Sequence, residues 1–256
     1  MRINAASFIV LDTETTGISY ADGDRLVEFA AKRYPDGDEL SMLVHPGRSI
    51  PVISSAVHGL VDADVAGAAS LDEAYREIDK FVGSQDIAVA HNAAFDTTML
   101  PCLASRRTLC TRRLAQHLVP EAPAFSCAVL RYHFGGAQID LRGIPTHRAL
   151  ADVLVTSFIL GRLLHAYAAA GHPDDVDALV SFAAAPYIVK TILFGKHVGT
   201  AIADLPLDYL QWGVGPRGFT DDPDLLHTFR SELARRRGQF EFATPRHSLA
   251  DRVGAV

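Results

Sequence analysis

The sequence predicts an α/β fold: a mixed sheet flanked by helices, followed by a small C-terminal domain. Three observations carry this. Two short apolar runs, "SFIVLD" (7–12) and "DIAVAHN" (86–92), have the length and character of buried strands. Between them, "RLVEFAAKRY" (25–34) and "ELSMLVH" (39–45) read as β and are joined by "PDGD" (35–38), a strong turn signal. The segments 70–83 and 147–170 repeat their apolar residues at helical spacing. At 256 residues the chain fits one α/β domain of ordinary size plus an appendage.

The first three strands follow one another closely and are expected to be antiparallel. In "SLDEAYREIDKFVG" (70–83), Leu71, Ala74, Ile78 and Phe81 share a helical face; Ser70 is the N-cap, Glu73 completes a capping box and Gly83 ends the helix. "AAFDTTML" (93–100) begins a helix directly after the second buried strand. The longest helical pattern is 147–170. Its apolar stretch 149–170 carries Asp152, Arg162 and His165, which predicts a buried core helix and not a membrane span. "AAGHPDD" (169–175) breaks that pattern. The expected organisation is a domain over 1–170, a connecting region over 171–186, a small C-terminal domain over 187–239 and a tail over 240–256. No internal repeat or low-complexity tract interrupts it.

Composition narrows the class. With 48% hydrophobic and 21% charged residues the chain is globular and not disordered. A formal net charge of −6 argues against a protein that coats nucleic acid by charge alone, although net charge hides local patches. Cys102, Cys110 and Cys127 form no C-x-x-C pair, so neither a zinc knuckle nor a disulfide framework is indicated, and a reduced, cytoplasmic setting is expected. The N-terminus reaches Asp12 too soon for a signal peptide.

The chemistry starts with two acids at the end of the first buried run. Side chains two apart in a strand point to the same face, so Asp12 and Glu14 converge. Two unit charges about 4 Å apart repel by roughly 4 kcal/mol at an effective dielectric of 20. Such a pair stays solvated, shares a proton, or binds a cation. The sequel "TTG" is a turn, which puts the acids at a strand's carboxyl end, where α/β sheets bind ligands. Asp96 follows the second buried strand at a helix start. In "THRALAD" (146–152), His147 precedes Asp152 by five residues. On an ideal helix the two lie about 140° apart, so they share a site only if His147 sits on the loop or first turn and swings back. Pro145 and Thr146 support a helix start there.

Taken in order, "DTETTG", "HNAAFD" and "HRALAD" resemble the three motifs of the DEDD superfamily of 3′–5′ exonucleases, His variant (DnaQ-like). "ISSAVHGLVDADV" (53–65) is similar to the family's segment after the third strand, whose histidine, here His58, would face substrate. The resemblance implies an RNase H-like fold, a five-stranded mixed sheet flanked by helices. It implies that Asp12, Glu14, Asp96 and Asp152 hold two divalent ions. Asp12 would bridge both, and Glu14 and Asp152 would complete the site for the ion that carries the attacking water. Asp96 would act closely, through a metal-bound water. His147 would be the general base, since an unperturbed histidine titrates near working pH. Hard oxygen ligands suit Mg²⁺ or Mn²⁺, and paired ions serve both ends of a phosphodiester displacement. Thr15, with nearby main chain, would lie near the terminal 3′-hydroxyl. Asn92 and Phe95 would line the terminal nucleotide pocket, with Phe95 stacking on a base or packing as core. Arg106, Arg107, Arg112 and Arg113 of "SRRTLCTRR" (105–113) make either a phosphate-tracking patch or a solvated face.

The last third carries a second resemblance. "TILFGKHVGTAIADLPLDYLQW" (191–212) is similar to the small C-terminal domain of the exodeoxyribonuclease X family through Phe194, Gly195, Lys196, Gly199, Tyr209, Leu210 and Trp212. Val198 and Thr200 stand where relatives usually carry Lys or Arg. Lys190, Lys196 and Arg235, Arg236 and Arg237 would give this module a basic side. Leu210 and Trp212 read as its core. "GVGPRG" (213–218) fits G-x-G-x-x-G, but it follows a helix and contains Pro216, so its glycines are read as a helix-ending loop and not a dinucleotide site.

The expected function is a metal-dependent 3′–5′ exonuclease acting on DNA, at single strands or 3′ ends, and releasing mononucleotides. Two alternatives stand beside it: an RNA- or oligoribonucleotide-trimming member of the superfamily, and a polymerase-associated proofreading or non-catalytic binding subunit. All four acids and the histidine are present, which argues against a dead site.

Overall fold

The apolar runs form the middle of a six-stranded sheet in the computed structural model, which describes residues 1–243. The strands are β1 (Phe8–Thr15), β2 (Leu26–Arg33), β3 (Glu39–His45), β4 (Ala69–Ser70), β5 (Ile87–Ala90) and β6 (Arg107–Cys110), in the order β4-β3-β2-β1-β5-β6. β1, β2 and β3 pair antiparallel, as their short connections dictate; β5 runs parallel to both β1 and β6. Five strands carry the expected mixed sheet, and the two-residue β4 adds a parallel pairing at the β3 edge.

The central strand explains the layering. Phe8 and Val10 enter one core cluster and Ile9 and Leu11 the other, so β1 is buried on both faces. In the first compact unit, Met1–Ala185, the helices are α1 (Val52–His58), α2 (Asp62–Val65), α3 (Leu71–Phe81), α4 (Ala93–Met99), α5 (Thr111–Leu118), α6 (Cys127–His133), α7 (Ala149–Ala169) and α8 (Val176–Ala184). α3 begins in the capping box that the sequence indicates: Ser70 N–H donates to Glu73 at 2.9 Å while the Ser70 hydroxyl accepts from Glu73 N–H. Its Ala74 and Ile78 are fully buried against the β1 face that carries Ile9 and Leu11.

α7 covers the opposite face. Val153, Ile159, Leu160 and Leu163 are fully buried with Phe8 and Val10. The helix is long and apolar enough to cross a membrane by length and composition alone, but half of its most apolar window is buried inside the fold. Its apolarity is thus used by the sheet, α5 and α6, as expected of a core helix.

One reading needs correction, and one open choice is narrowed. Residues 171–186 were expected to connect domains, but they hold α8, whose Val176, Leu179 and Ala183 belong to the same core as α7. The break at "HPDD" is only a corner. Asp175 then caps α8 by accepting from Asp177 and Ala178 N–H at 3.0 Å each, and the N-terminal ammonium group pairs with the same carboxylate at 3.0 Å. The arginine run is not a continuous patch. Arg106 pairs with Asp79, Arg107 with Asp177, and Arg113 donates to the Ala183 and Ala185 carbonyls. Those three tie surface elements of the fold together.

The second unit starts at Pro186. Its helices are α9 (Leu207–Gly213) and α10 (Pro223–Ala243), and Ile192, Ile202, Leu205, Leu210, Leu225, Phe229 and Leu233 form its core. Leu210 is fully buried as expected, but Trp212 is 46% exposed. Positions two apart on a helix lie about 200° apart, so one side chain cannot follow the other inward. The "GVGPRG" loop turns tightly: Phe219 N–H donates to the Gly213 carbonyl at 2.9 Å, and a Cβ on Gly218 would stand 2.3 Å from that same oxygen. Arg235 and Arg236 both grip Glu232, which neutralises part of the expected basic side. α10 continues past residue 239 to Ala243, and the remainder of the expected tail lies outside the described residues.

Ile159→Ala is expected to lower the unfolding free energy by about 2–5 kcal/mol, the usual cost of truncating a fully buried aliphatic residue. Urea titration followed by far-UV circular dichroism checks this, and a loss under about 1 kcal/mol would mean α7 is not core.

Candidate active site

Alternation along β1 aims Asp12 and Glu14 to the same side as Phe8 and Val10, which is the side covered by α7. Asp152 stands in the first turn of α7. One carboxylate oxygen from each of Asp12, Glu14 and Asp152 lies within 4.8 Å of the other two. Asp96, in the first turn of α4, reaches the same strand from beyond the end of β5. It is 2% exposed, and the Thr13 hydroxyl donates to it at 2.8 Å. A register shift between Glu14 and Thr15 marks where β1 leaves regular pairing with β2, a place where bulges re-aim side chains.

The electrostatics follow from burial first and crowding second. Burial pushes the Asp12 carboxyl well above the ordinary carboxylate range, and the charges of Asp96, Asp152, Glu14 and Glu28 push it further. Burial, then Asp152, Glu28 and Asp96, raise Glu14 to about 8, against the pull of Arg148. Asp96 is raised to about 7, by burial, with the Thr13 hydrogen bond opposing. Burial also raises Asp152, and the neighbouring His147 holds it down. Four carboxyls that resist ionising together form a pocket short of positive charge. Three oxygens converging within one coordination sphere, all hard donors, fit a divalent cation.

The start of α7 is built from a distance. His147 lies on the loop before the helix with φ at +58°, exposed, and its main chain and ring act on the Asp152 carboxyl. The helix begins at Ala149, two residues later than Thr146 and Pro145 suggest. No local side chain caps it. Instead Glu28, which faces Glu14 across the β1–β2 pair, accepts from Ala149 N–H at 3.0 Å and holds Arg148 through bonds of 2.7 to 3.2 Å. Glu28 is 4% exposed. It locks the residue after His147 and neutralises itself against Arg148, so it does not add a full charge to the acids beside it.

The remaining expected residues fall around this cluster with different freedom. Thr15 is buried and its hydroxyl donates to the Gly17 carbonyl at 2.6 Å. His58 ends α1; its Nδ1 accepts from Leu60 N–H at 3.1 Å, and its Nε2 is buried without a partner among the described residues. Glu28, Arg148 and the Thr15 main chain are its electrostatic neighbours, and burial lowers its pKa. Asn92 is exposed with φ at +77°, in the left-handed turn that launches α4, and Phe95 is half-buried one turn later.

Glu28, Thr13, Arg148 and His91 escaped the sequence reading. His91 pins Thr111 at 2.8 Å and the Phe125 carbonyl at 2.7 Å, fixing the chain that leads to α6. Glu28 had one available signal: an acid in the middle of an apolar strand, "LVEFAA", which a core tolerates only with a partner.

A carboxyl raised in the folded state binds protons more tightly there than when unfolded, so stability falls as pH rises from the unfolded value near 4 toward the folded value. In chelator, the protein is therefore expected to lose stability between about pH 4.5 and pH 8, by up to about 1.4 kcal/mol per pH unit for each titrating group. Asp12→Asn is expected to flatten this slope and to raise the melting temperature at pH 8. Scanning calorimetry across pH checks both, and a stability that rises with pH would contradict the crowded-acid reading.

A sequence profile of the exonuclease (RNase T) family matches residues 9–160, more than half of the chain and all four acids with His147. A DNA polymerase III subunit epsilon-like protein of Rhodobacter capsulatus is 34% identical over 186 residues, 66% of this chain and 25% of that protein. Exodeoxyribonuclease 10 of Escherichia coli K12 is 29% identical over 209 residues, 79% of this chain and 88% of that protein. Among solved structures, Exonuclease X in complex with 5′ overhanging duplex DNA superposes with a TM-score of 0.53 at 26% identity, covering 69% of this chain and 99% of the other. Escherichia coli Exonuclease I with a dT13 oligonucleotide shares the fold at 16% identity and a TM-score of 0.54, over 65% of this chain and 42% of the other. The first of these relatives is thus matched over about a quarter of its length, and the second over most of it. With the profile match spanning β1 to α7 and the acids gathered where these elements meet, this chain belongs to the exonuclease family.

Proposed function

We propose that the chain hydrolyses phosphodiester bonds from the 3′ end of DNA, releasing mononucleotides. The observation that carries this is the convergence of Asp12, Glu14 and Asp152, with Asp96 tied to the same strand. Similarity to Exodeoxyribonuclease 10 and to Exonuclease X, solved with duplex DNA bearing a 5′ overhang, supports DNA as substrate. A recessed 3′ end is what such an overhang leaves.

Asp12, Glu14, Asp96 and Asp152 would hold two Mg²⁺ or Mn²⁺ ions. Bound there, the pair would supply Lewis-acid activation of water and stabilisation of the leaving 3′ oxygen. The protein's own part is positioning and proton transfer. His147, exposed on its loop, takes the proton of the attacking water. Glu28 and Arg148 fix the backbone that carries that histidine. Asn92 and Phe95 line the terminal nucleotide pocket, the Thr15 main chain meets the 3′-hydroxyl, and His58, beside that main chain, faces substrate. Three free, half-buried cysteines suit a reduced, cytoplasmic setting.

The similarity to a polymerase III epsilon-like protein favours a second reading, a proofreading role beside a polymerase. Co-purification with polymerase subunits separates it from a free-standing enzyme.

The test is product analysis on matched 5′-labelled and 3′-labelled DNA and RNA oligonucleotides, with Mg²⁺, Mn²⁺ and chelator in parallel. Mononucleotides are expected at once from 3′-labelled DNA and nothing in chelator; internal fragments appearing first would reject the reading. Asp12→Ala is expected to abolish cleavage while the circular dichroism spectrum is retained. His147→Ala is expected to lower turnover by about 10²–10⁴, and an unchanged rate would remove it as the base.

A further inference from the structure

The second unit presents an ordered run of rings. Phe194 meets Phe219 edge-on at 5.8 Å, Phe219 meets Trp212 at 5.4 Å, Trp212 stacks on Tyr209 at 5.3 Å and 21°, and Tyr209 packs on His197 at 4.3 Å. The inner side is anchored, because Phe219 and Tyr209 both rest on the buried Phe229. The outer side is open: Phe194 is 50% exposed and Trp212 46%. Two glycine loops build this geometry. Gly213 and Gly218 fold the chain back so that Phe219 lies against Trp212. Gly195 and Gly199, at φ of +69° and +81°, turn the 194–199 segment so that Phe194 and His197 both touch the run.

Those loops also carry cations. Lys196 sits between Phe194 and His197, and Arg217 sits two residues before Phe219. Both are exposed, and among the described residues neither has a hydrogen bond or an ion pair. Of the acids near the run, Asp208 turns back onto Tyr209 N–H at 2.8 Å, Asp222 accepts from Leu225 N–H at 2.9 Å at the start of α10, and Asp221 is exposed. Half-exposed rings and unpaired cations carried on the same two loops complement the bases and phosphates of a single strand. An aliphatic partner helix would instead need an apolar groove without free charge at its centre.

We propose that the Phe194–Trp212 face of the second unit binds single-stranded DNA, with Trp212 and Phe194 stacking on bases and Lys196 and Arg217 meeting phosphates. The choice of ligand rests on the DNA exonuclease reading, but the surface is distinct from the carboxylate cluster.

Trp212 is the only tryptophan in the chain, so its emission reports on this face alone. The full-length protein in chelator, which prevents hydrolysis, is titrated with a thymidine oligonucleotide of about 16 nucleotides. Saturable quenching of Trp212 is expected, with loss of acrylamide access. The Lys196→Gln/Arg217→Gln double variant is expected to weaken binding at least fivefold and to reduce the slope of log K against log salt by about 1.4. Phe194→Ala is expected to weaken it by a similar factor, while mononucleotide release from a dinucleotide stays at the wild-type rate. The proposal is overturned if Trp212 emission is unchanged at concentrations that saturate fluorescence anisotropy of a labelled oligonucleotide. It is equally overturned if the double variant keeps wild-type affinity and salt slope. Failure of the exonuclease reading would appear separately, as absence of mononucleotide release by the wild-type protein with Mg²⁺ or Mn²⁺.

Discussion

Mutual repulsion among Asp12, Glu14, Asp96 and Asp152 is the constraint around which the first unit is organised. Each acid alone would relax toward water. They stay together because each is attached to an element that the core holds rigid: Asp12 and Glu14 to a strand buried on both faces, Asp152 to the helix that covers that strand, and Asp96 to the turn that leaves β5. The apolar core therefore stabilises a charge arrangement that would not form by itself. Burial is the largest cause of the raised carboxyl pKa values, and at Asp12 and Glu14 the neighbouring acids raise them further. The same arrangement is what a phosphodiesterase needs, since cations drawn into the pocket can then act on a phosphate.

Glu28 resolves a second problem of the same kind. A fifth acid across from Glu14 adds to the repulsion, and its commitment to Arg148 and to the Ala149 amide limits how much. The buried pair is useful for geometry more than for stability, because desolvating two charges consumes most of their attraction. What it achieves is location. It fixes where α7 begins, and with it the left-handed turn at His147, whose ring and main chain act on Asp152.

Much of this arrangement can be read directly from the residues. "SFIVLD" and "DIAVAHN" declare themselves as buried strands by unbroken apolarity, and Ser70 with Glu73 declares a helix start by local chemistry. The four acids and His147 stand out because their motifs occur in order at the ends of those elements. The exact start of α7 lies two residues past the one Pro145 and Thr146 suggest, because its cap comes from Glu28, 121 residues away. α8 was missed because His172 to Asp175 reads as a break, and whether a break is a linker or a corner depends on what the following helix packs against. The choice between a patch and a solvated face for the arginines at 106, 107 and 113 stays open in the linear chain, because ion pairing with Asp79 and Asp177 is invisible there. Trp212 was assigned to a core by its apolarity, although the fully buried Leu210, two places earlier on the same short helix, already implies that it faces out.

The most direct test of the central claim is the proton count on metal binding. Calorimetric titration with Mn²⁺ near pH 7, repeated in buffers of different ionisation enthalpy, measures protons released per ion bound. Carboxyls that share protons for want of a counter-charge must give them up when cations arrive, so net release is expected, declining toward zero by about pH 9 and smaller per bound ion in Asp12→Asn. Saturable binding with no proton release, or no binding at all, would contradict the account.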